Sequence, residues 1–256
     1  MKISILTATY RCEDTIADCL ASIAQQTHPD VEHIVIDGAG QDGTLGILEQ
    51  HRGRIAQLVS ERDDGLYDAL NKGLALCTGE VVGFLHADDL YADAGVLARI
   101  AAAFADPAVM ACYGDLVYVR RQDTERVVRY WRAGEFFPAK LRRGWMPPHP
   151  TFFARRSLYQ RFGGFDTDFR IAADYESLLR MLTALEGKVA YLPELLVRMR
   201  LGGASNRSLA QMIRKSQEDY RAIRRHRQGG IGTLLCKNLS KLGQFVAHPK
   251  KQSAIE

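Results

Sequence analysis

Carboxylate side chains recur at the ends of predicted strands in the first ninety residues. In chain order these acids are Asp37, Asp63, Asp64, Asp88 and Asp89. Because neighbouring strands of a parallel sheet bring their carboxyl ends to one edge, we expect these acids to meet in one cleft. Clustered carboxylates repel one another unless a cation or hydrogen-bond donors compensate them. Asp88 and Asp89, which follow an apolar run, suit a hard divalent cation that carries a phosphorylated ligand, although Asp is also a common turn residue.

The elements that must position these acids alternate between strand and helix. Strands are predicted at residues 3–9, 31–36, 56–60 and 81–85, with helices at residues 14–25, 44–51 and 66–77. This alternation predicts right-handed βαβ units in an α/β fold, with a mainly parallel sheet flanked by helices. Beyond residue 106 we expect a looser half, with a hairpin near Asp123 and a strand at residues 189–200 that Pro193 interrupts.

The bulk composition is that of an ordinary soluble globular protein. Of the 256 residues, 46% are hydrophobic and 25% are charged, and the net charge is +4. The cysteine count of 5 includes no C-x-x-C pair, which favours free thiols in a reducing cytoplasm. No apolar run is long enough to span a bilayer, and the first residues resemble a strand, not a signal peptide. We therefore expect a cytoplasmic protein.

Residues 206–256 are expected to form a basic helical extension that follows a first domain of residues 1–205. That domain divides into halves at residues 1–106 and 107–205. Arginine and lysine outnumber acids from Arg198 onward, which suggests an anionic partner such as a membrane surface or a phosphate group. We expect no nucleic acid partner. Two amphipathic helices are predicted, and the second could lie in a membrane interface or pack on the domain or on another subunit of a homo-oligomer.

A glycine-rich segment at residues 38–43 matches the G-x-G-x-x-G pattern of dinucleotide-binding loops. It lies between a strand and a helix, and Asp63 follows it by about 20 residues, as that pattern requires. Two features argue against this interpretation. Asp37 and Asp42 place negative charge beside the expected pyrophosphate, and the segment follows the second predicted strand instead of the first. An NAD-dependent dehydrogenase is therefore the least favoured interpretation.

Several stretches occur in an order that resembles the family 2 glycosyltransferases of the GT-A fold. The stretches are ILTATY at 5–10, VIDGAGQDGT at 35–44, DDGLYDALNKG at 63–73, LHADD at 85–89, GGFD at 163–166 and AADYE at 172–176. The motifs are specific as a set, and the resemblance covers roughly residues 1–205. The subgroup that looks most similar builds bacterial exopolysaccharides such as colanic acid.

The resemblance implies inverting transfer of a sugar from a nucleotide-sugar donor, first of all a UDP-linked one, to a glycan or lipid-linked glycan. It implies Mg²⁺ or Mn²⁺ as cofactor, with Asp88 as the last acid of the D-x-D element and Asp89 as a second ligand. It also assigns Asp174 as the general base. The residues assigned to the nucleotide sugar are Thr7, Thr9, Asp37, Asp63, Lys72, Ala87, Asp88 and His149. The loop at residues 202–205 is either a flap over the diphosphate or a helix cap.

Two positions depart from the family pattern. His86 replaces the first acid of D-x-D, and Ala173 replaces the Glu before the general base. These departures leave open a nucleotide-sugar-binding module that has no turnover. Alternatives also stay open for individual residues, because Asp174 could be a helix cap, Lys72 a solvated helix residue and His149 a structural histidine.

Overall fold

The structure is a computed structural model that describes residues 1–202 and 209–240. Its first half alternates strands and helices, as predicted. In chain order the elements are β1 (Ile3–Thr9), α1 (Ile16–Ala24), β2 (Val31–Asp37), α2 (Thr44–Gln50), β3 (Gln57–Ser60), α3 (Leu66–Leu76), β4 (Val81–Phe84), β5 (Leu90–Tyr91) and α4 (Val96–Ala103). A short 3-10 helix, Arg52–Arg54, links α2 to β3.

The second half is built around two long strands. Its elements are β6 (Val109–Arg120), β7 (Asp123–Trp131), α5 (Pro138–Leu141), β8 (Phe153–Arg155), α6 (Arg156–Phe162), α7 (Ala173–Ala184), β9 (Lys188–Arg200), α8 (Leu209–Arg225) and α9 (Ile231–Ser240). A 3-10 turn, His149–Thr151, precedes β8. The hairpin expected near residue 123 is confirmed as the antiparallel pair β6–β7.

One sheet holds the strands of the described residues together, in the order β3-β2-β1-β4-β8-β6-β9-β5, with β7 paired to β6. Strands β1 to β4 pair in parallel, whereas β8 runs antiparallel to both β4 and β6. The parallel sheet is therefore confirmed for the first half, and the second half is mixed. Thr9 pairs with Asp37 and Leu6 pairs with Phe84, so β1, β2 and β4 end at the same edge.

Apolar side chains pack on both faces of this sheet. Because neighbouring residues of a strand point to opposite faces, Ile5 contacts the layer that contains Ile16 of α1, whereas Leu6 contacts the layer that contains Leu70 of α3. Helix α1 buries Ile16, Cys19, Leu20 and Ile23, which recur at the spacing of one helix face. Removing both layers from water stabilises the sheet and gives its carboxyl edge a rigid support.

The interruption expected at Pro193 is a bulge and not the end of a strand, since β9 runs from Lys188 to Arg200. Proline cannot donate a backbone hydrogen bond to a neighbouring strand. The register between β6 and β9 shifts at this point, where Gly114 pairs with Leu192 and the next residue, Asp115, pairs with Leu195. This bulge places Pro193 outside the regular ladder, and the strand resumes beyond it.

The C-terminal helices α8 and α9 pack onto α7 through paired charges. Nζ of Lys237 lies 2.6 Å from Oδ1 of Asp219 and 3.3 Å from the ring centroid of Tyr175. Nε2 of His226 lies 2.8 Å from Oε1 of Glu176. Charges are tolerated in a buried contact when they are paired in this way. The helical extension is therefore joined to the body of the protein.

Some sequence predictions fall outside the described residues. These are the domain boundary at residue 205, residues 203–205 of the predicted flap, and the part of the second terminal helix beyond Ser240. Within residues 1–202 and 209–240, no helix has both the length and the apolar character needed to cross a membrane.

Candidate active site

Asp37 ends β2 and is held by donors from three neighbouring segments. Thr9 donates its hydroxyl to Oδ1 at 3.0 Å, and Ser60 donates its hydroxyl to Oδ2 at 2.7 Å. The N–H of Ala39 also donates to Oδ2, at 3.2 Å. The structure therefore brings Thr9 and Asp37 together and fixes the orientation of a carboxylate that is 1% exposed at the end of β2.

Asp63 lies against the loop that follows Asp37. A Cβ atom at Gly38 would come within 2.5 Å of Oδ2 of Asp63 and within 3.2 Å of the Tyr10 ring, so only glycine leaves this space open. Oδ1 of Asp63 accepts the N–H of Gly65 at 2.9 Å, and Gly65 has a φ of 113°, which favours glycine. Tyr10 is 58% exposed, and its ring flanks Gly38 together with Asp63. We call Tyr10, Asp37 and Asp63 the first acid cluster.

Asp174 lies in the first turn of α7, next to Tyr67. The Tyr67 hydroxyl lies 2.8 Å from the carbonyl oxygen of Ile171 and 3.3 Å from Oδ1 of Asp174, with hydrogen-bond geometry to both. Burial, followed by the negative charge of Asp174, raises the pKa of Tyr67 well above its usual value, so the hydroxyl keeps its proton. The N-cap of α7 is Ala172, without a side-chain cap bond. The alternative interpretation of Asp174 as the helix cap is therefore wrong.

Two histidine rings lie near these acids: the charges of Asp88 and Asp174 both act on His86, whereas only the charge of Asp174 acts on His149. The rings of His86 and His149 are 5.7 Å apart, and His149 stacks on Phe84 at 5.5 Å. Burial lowers the pKa of His149 to about 4, against the charge of Asp174, so this ring is neutral at neutral pH. Burial likewise lowers the pKa of His86, against the charges of Asp88 and Asp174. We call these four side chains the histidine–aspartate cluster.

Asp88 and Asp89 have different surroundings although they are adjacent. Asp89 is fully buried, and its Oδ1 accepts the N–H of Arg200 at 3.2 Å. Burial, and then the charge of Asp88, raise the pKa of Asp89 well above its usual value. Nη1 of Arg200 also donates to the carbonyl oxygen of Asp88, at 3.1 Å. Asp89 therefore anchors β9 to the turn. This does not fit its predicted role as an accessible metal ligand. Asp88, in contrast, is half-buried.

A preformed metal centre is absent from the described part of the chain, where no three His, Cys, Asp or Glu side chains are grouped to hold an ion. Mg²⁺ in proteins is commonly held by one or two carboxylates, substrate phosphates and water. Asp88 fits that pattern as a single carboxylate. Nε2 of His149 is buried and has no hydrogen-bond partner among these residues. The site thus fits a cation that is bound together with a diphosphate.

Two contacts link the two halves of the chain beside these clusters. Nη1 of Arg170 donates to the carbonyl oxygen of Asp64 at 3.1 Å, next to Asp63. Tyr67, from the first turn of α3, reaches Asp174. These contacts cross from the first half of the chain to the second, and the meeting of Asp37 and Asp63 with Asp88 in one cleft stays a prediction.

Comparison with known proteins identifies the family. The family model described as "Glycosyl transferase family 2" matches residues 4–172. The chain belongs to this family. A relative from Mycobacterium bovis, named a PGL/p-HBAD biosynthesis glycosyltransferase, is 32% identical over 182 residues, a match that covers 69% of this chain and 68% of the relative.

Solved structures confirm the GT-A-like fold of this glycosyltransferase. S. aureus TarS matches with a TM-score of 0.67 at 21% identity, and the match covers 88% of this chain but only 39% of TarS. The mannosyltransferase PcManGT from Pyrobaculum calidifontis, in complex with GDP-Man and Mn²⁺, matches with a TM-score of 0.67 at 22% identity, covering 96% of this chain and 73% of PcManGT. The predicted α/β fold is therefore confirmed.

Side-chain hydrogen bonds occupy the glycine-rich loop of this glycosyltransferase. Oε2 of Glu13 accepts the N–H of Gly43 at 2.5 Å, and Oδ2 of Asp42 accepts the N–H of Glu13 at 3.3 Å. The hydroxyl of Thr44 donates to Asp42 at 2.8 Å. Carboxylates thus occupy the start of α2, where a dinucleotide pyrophosphate would have to bind. This geometry argues against the NAD-dependent dehydrogenase.

Two predicted donor-binding residues lie behind the open face of the glycosyltransferase site. Thr7 is buried, and its hydroxyl lies 3.0 Å from Nε2 of His33. Ala87 is buried in the turn between His86 and Asp88. Both side chains are buried near the strand ends. Direct contact of either residue with a donor stays a prediction.

Helix α3 braces two segments beside the glycosyltransferase site. Nζ of Lys72 lies 2.8 Å from Oε1 of Glu61 and 3.0 Å from the carbonyl oxygen of Arg62. Asn71 donates to the carbonyl oxygen of Phe165 and accepts the N–H of the same residue, both at 2.8 Å. Lys72 therefore holds the segment that leads to Asp63, and Asn71 holds the GGFD segment. Contact of Lys72 with the nucleotide stays a prediction.

Proposed function

We propose that the protein is an inverting glycosyltransferase that moves a sugar from a nucleotide-sugar donor, UDP-linked in the first instance, to a glycan or lipid-linked glycan. The observation that supports this most is that Asp88 and Asp174 both lie within electrostatic reach of His86, whose ring is 5.7 Å from that of His149. One carboxylate is then available for the cation of the donor, and the other for the hydroxyl of the acceptor.

The nucleotide of the donor would bind at the first acid cluster. Tyr10 presents an exposed aromatic ring, on which a base can stack. The carboxylates of Asp37 and Asp63 lie beside it with fixed orientations, and carboxylate oxygens accept hydrogen bonds from ribose hydroxyls and base N–H groups. A base between Tyr10 and Asp63, with the ribose toward Asp37, follows from this arrangement.

The diphosphate of the donor would lie at the histidine–aspartate cluster. When Mg²⁺ or Mn²⁺ is bound there, it neutralises the negative charge that develops on the leaving diphosphate. Asp88 is the residue that would hold the cation. His149 has a neutral ring and a buried Nε2, so it can form one directed hydrogen bond to the donor.

Asp174 would act as the general base. Its carboxylate takes the proton from the acceptor hydroxyl as the acceptor oxygen attacks the anomeric carbon of the donor. The bond between that carbon and the diphosphate oxygen breaks, and its electron pair leaves with the diphosphate. The configuration at the anomeric carbon is therefore inverted. Tyr67 supports this role because its protonated hydroxyl orients the carboxylate.

A donor screen tests this proposal. We expect one class among UDP-, GDP- and dTDP-sugars to raise the melting temperature in the presence of Mn²⁺, and we expect release of the nucleotide diphosphate when an acceptor is added. The substitutions at His86 and Ala173 support a second candidate, a nucleotide-sugar-binding module. Donor binding without turnover across a broad acceptor set would favour that module.

Peripheral contact with an anionic membrane is a further part of the proposed function. The groove between α8 and α9 has a volume of about 490 Å³ and is lined by Met212, Ile213, Ser216, Gln217, Tyr220, Ile231 and Leu234. On α9, Ile231, Leu235 and Leu239 are each more than half exposed. The acids of these helices, Glu218 and Asp219, are buried and paired. The exposed charge is thus basic, which suits anionic lipid on the cytoplasmic face of a membrane.

We expect the triple change Ile231→Ser, Leu235→Ser and Leu239→Ser to reduce binding to vesicles that contain an anionic lipid. The apolar area supplies most of the binding free energy, so the loss should be about tenfold or more. Co-sedimentation with vesicles measures it. The control is the pair Val127→Ser and Val128→Ser, which removes exposed apolar area from β7. Equal vesicle binding by the triple variant and this control would count against membrane contact through α9.

A further inference from the structure

Glu218, on the buried side of α8, holds the backbone that leads into α7. Its Oε1 accepts the N–H of Arg170 at 3.1 Å, and its Oε2 accepts the N–H groups of Ile171 at 2.8 Å and of Ala172 at 2.9 Å. A carboxylate forms stronger hydrogen bonds to N–H groups than a neutral oxygen does. One side chain from the C-terminal helix thus fixes three consecutive peptide groups.

The segment held by Glu218 also fixes Asp174. The carbonyl oxygen of Ile171 accepts the hydroxyl of Tyr67, and that hydroxyl also contacts Oδ1 of Asp174. Glu218 therefore holds the N–H of Ile171 while Tyr67 holds its carbonyl group. A shift of this peptide would move the Tyr67 hydroxyl and, with it, the carboxylate of Asp174.

The start of α7 depends on a group from elsewhere in the chain. Ala172 is the N-cap and carries a methyl group, which cannot accept a hydrogen bond. Glu218, 46 residues later, accepts the N–H of Ala172 itself and so holds the N-cap residue in place. It is itself oriented by Arg214, whose Nε lies 3.2 Å from its Oε1. The carboxylate is buried and has defined partners on both oxygens.

We infer that Glu218 is a positioning residue for glycosyl transfer, which acts through residues 170–172 and Tyr67 to set the carboxylate of Asp174. This inference rests on the proposed role of Asp174 as the general base. It makes the C-terminal extension part of the active centre, because the catalytic geometry requires a side chain from α8.

The test compares Glu218→Gln and Glu218→Ala with Asp219→Asn in the full-length protein. Asp219 is the adjacent buried acid, and it pairs with Lys215 and Lys237, so it is a matched control for loss of a buried charge in α8. We expect Glu218→Ala to lower kcat by about 10- to 100-fold, because a small misplacement of a reacting group is costly. Glu218→Gln keeps one carbonyl acceptor, so its kcat should fall less than that of Glu218→Ala.

Two further measurements separate positioning from general stability. The KM for the donor should change by less than about threefold in the Glu218 variants, since interactions that act only in the transition state alter kcat. Hydrogen exchange of the amides of residues 170–172 should accelerate about tenfold or more in Glu218→Gln, because their acceptor is weakened. Asp219→Asn should leave both kcat and the exchange of these amides near wild type below its melting temperature.

The outcomes separate failure of this inference from failure of the proposed function. A wild-type protein that transfers sugar, together with a folded Glu218→Gln variant of unchanged kcat and unchanged exchange, would overturn the inference alone. A fall in kcat that Asp219→Asn reproduces equally would also overturn it. A wild-type protein without turnover, or an Asp174→Asn variant of full activity, would overturn the proposed function, whatever the Glu218 variants do.

Discussion

Replacing Asp174 by asparagine is expected to abolish glycosyl transfer while leaving donor binding almost unchanged. Asparagine has the same shape and can still accept the hydrogen bond of Tyr67, but it cannot take a proton from the acceptor. General base catalysis contributes about 10²–10⁴ in rate, so kcat should fall at least about 100-fold. Initial rates of transfer measure this loss, and calorimetric titration with the donor measures its affinity.

The control for this change is Asp168→Asn. Asp168 precedes the same helix but is largely exposed, and its Oδ2 lies 3.6 Å from Nη2 of Arg221. An exposed ion pair of this kind contributes little to stability. We expect this variant to keep the wild-type rate. Transfer by Asp174→Asn at a rate within about twofold of wild type would show that another group takes the proton, since loss of a true base costs far more.

Replacing Asp88 by alanine is expected to weaken the metal-dependent part of nucleotide binding. Asp88 is the half-buried carboxylate whose charge acts on His86, and the cation of a diphosphate is commonly held by one or two carboxylates. Affinity for the nucleotide diphosphate with Mn²⁺ should fall at least about tenfold, because even loss of a group that only supports a metal ligand costs 10- to 100-fold. Titrations with Mn²⁺ and with a chelator separate the metal-dependent part of the nucleotide affinity from the metal-independent part.

Asp89→Asn is the matched control at the adjacent position. Asparagine keeps the oxygen that accepts the N–H of Arg200, and burial already raises the pKa of Asp89, which favours its neutral form. We expect the response to Mn²⁺ to stay within about twofold of wild type, because burial disfavours the charged carboxylate that a cation binds. A loss of metal response in Asp89→Asn but not in Asp88→Ala would reverse the two assignments.

The position of the acids was predictable from the sequence because it depends on local periodicity and on one rule of sheet geometry. Short apolar runs mark β1 and β2, and apolar residues with helical spacing mark α1. Strands in parallel register then bring Thr9 and Asp37 side by side.

The contacts that orient the candidate base depend on residues far apart in the chain. Tyr67 reaches Asp174 across 107 positions, and Glu218 reaches Ala172 across 46. Such pairs leave no local pattern, because a tyrosine in the first turn of a helix and a glutamate on an amphipathic helix are both common. Only the packing of α8 on α7 brings Glu218 to this backbone.

The basic amphipathic pattern of the last helices was also visible in the sequence, but it could not separate the buried face from the exposed one. In the structure, Asp219 and Lys237 form a buried pair, although charged residues are rarely buried. Ile231 and Leu235 are exposed, although apolar residues are usually buried. The assignment of each face depends on the contact with α7, which composition does not encode.

A crystal structure with a nucleotide diphosphate and Mn²⁺ tests the central claim most directly. The account predicts a manganese anomalous peak within coordination distance of Asp88, a base next to Tyr10 and Asp63, and Asp174 facing the site of the departed sugar. A nucleotide bound away from Asp37 and Asp63, or a manganese peak remote from Asp88, would contradict the claim that these acids form one donor site.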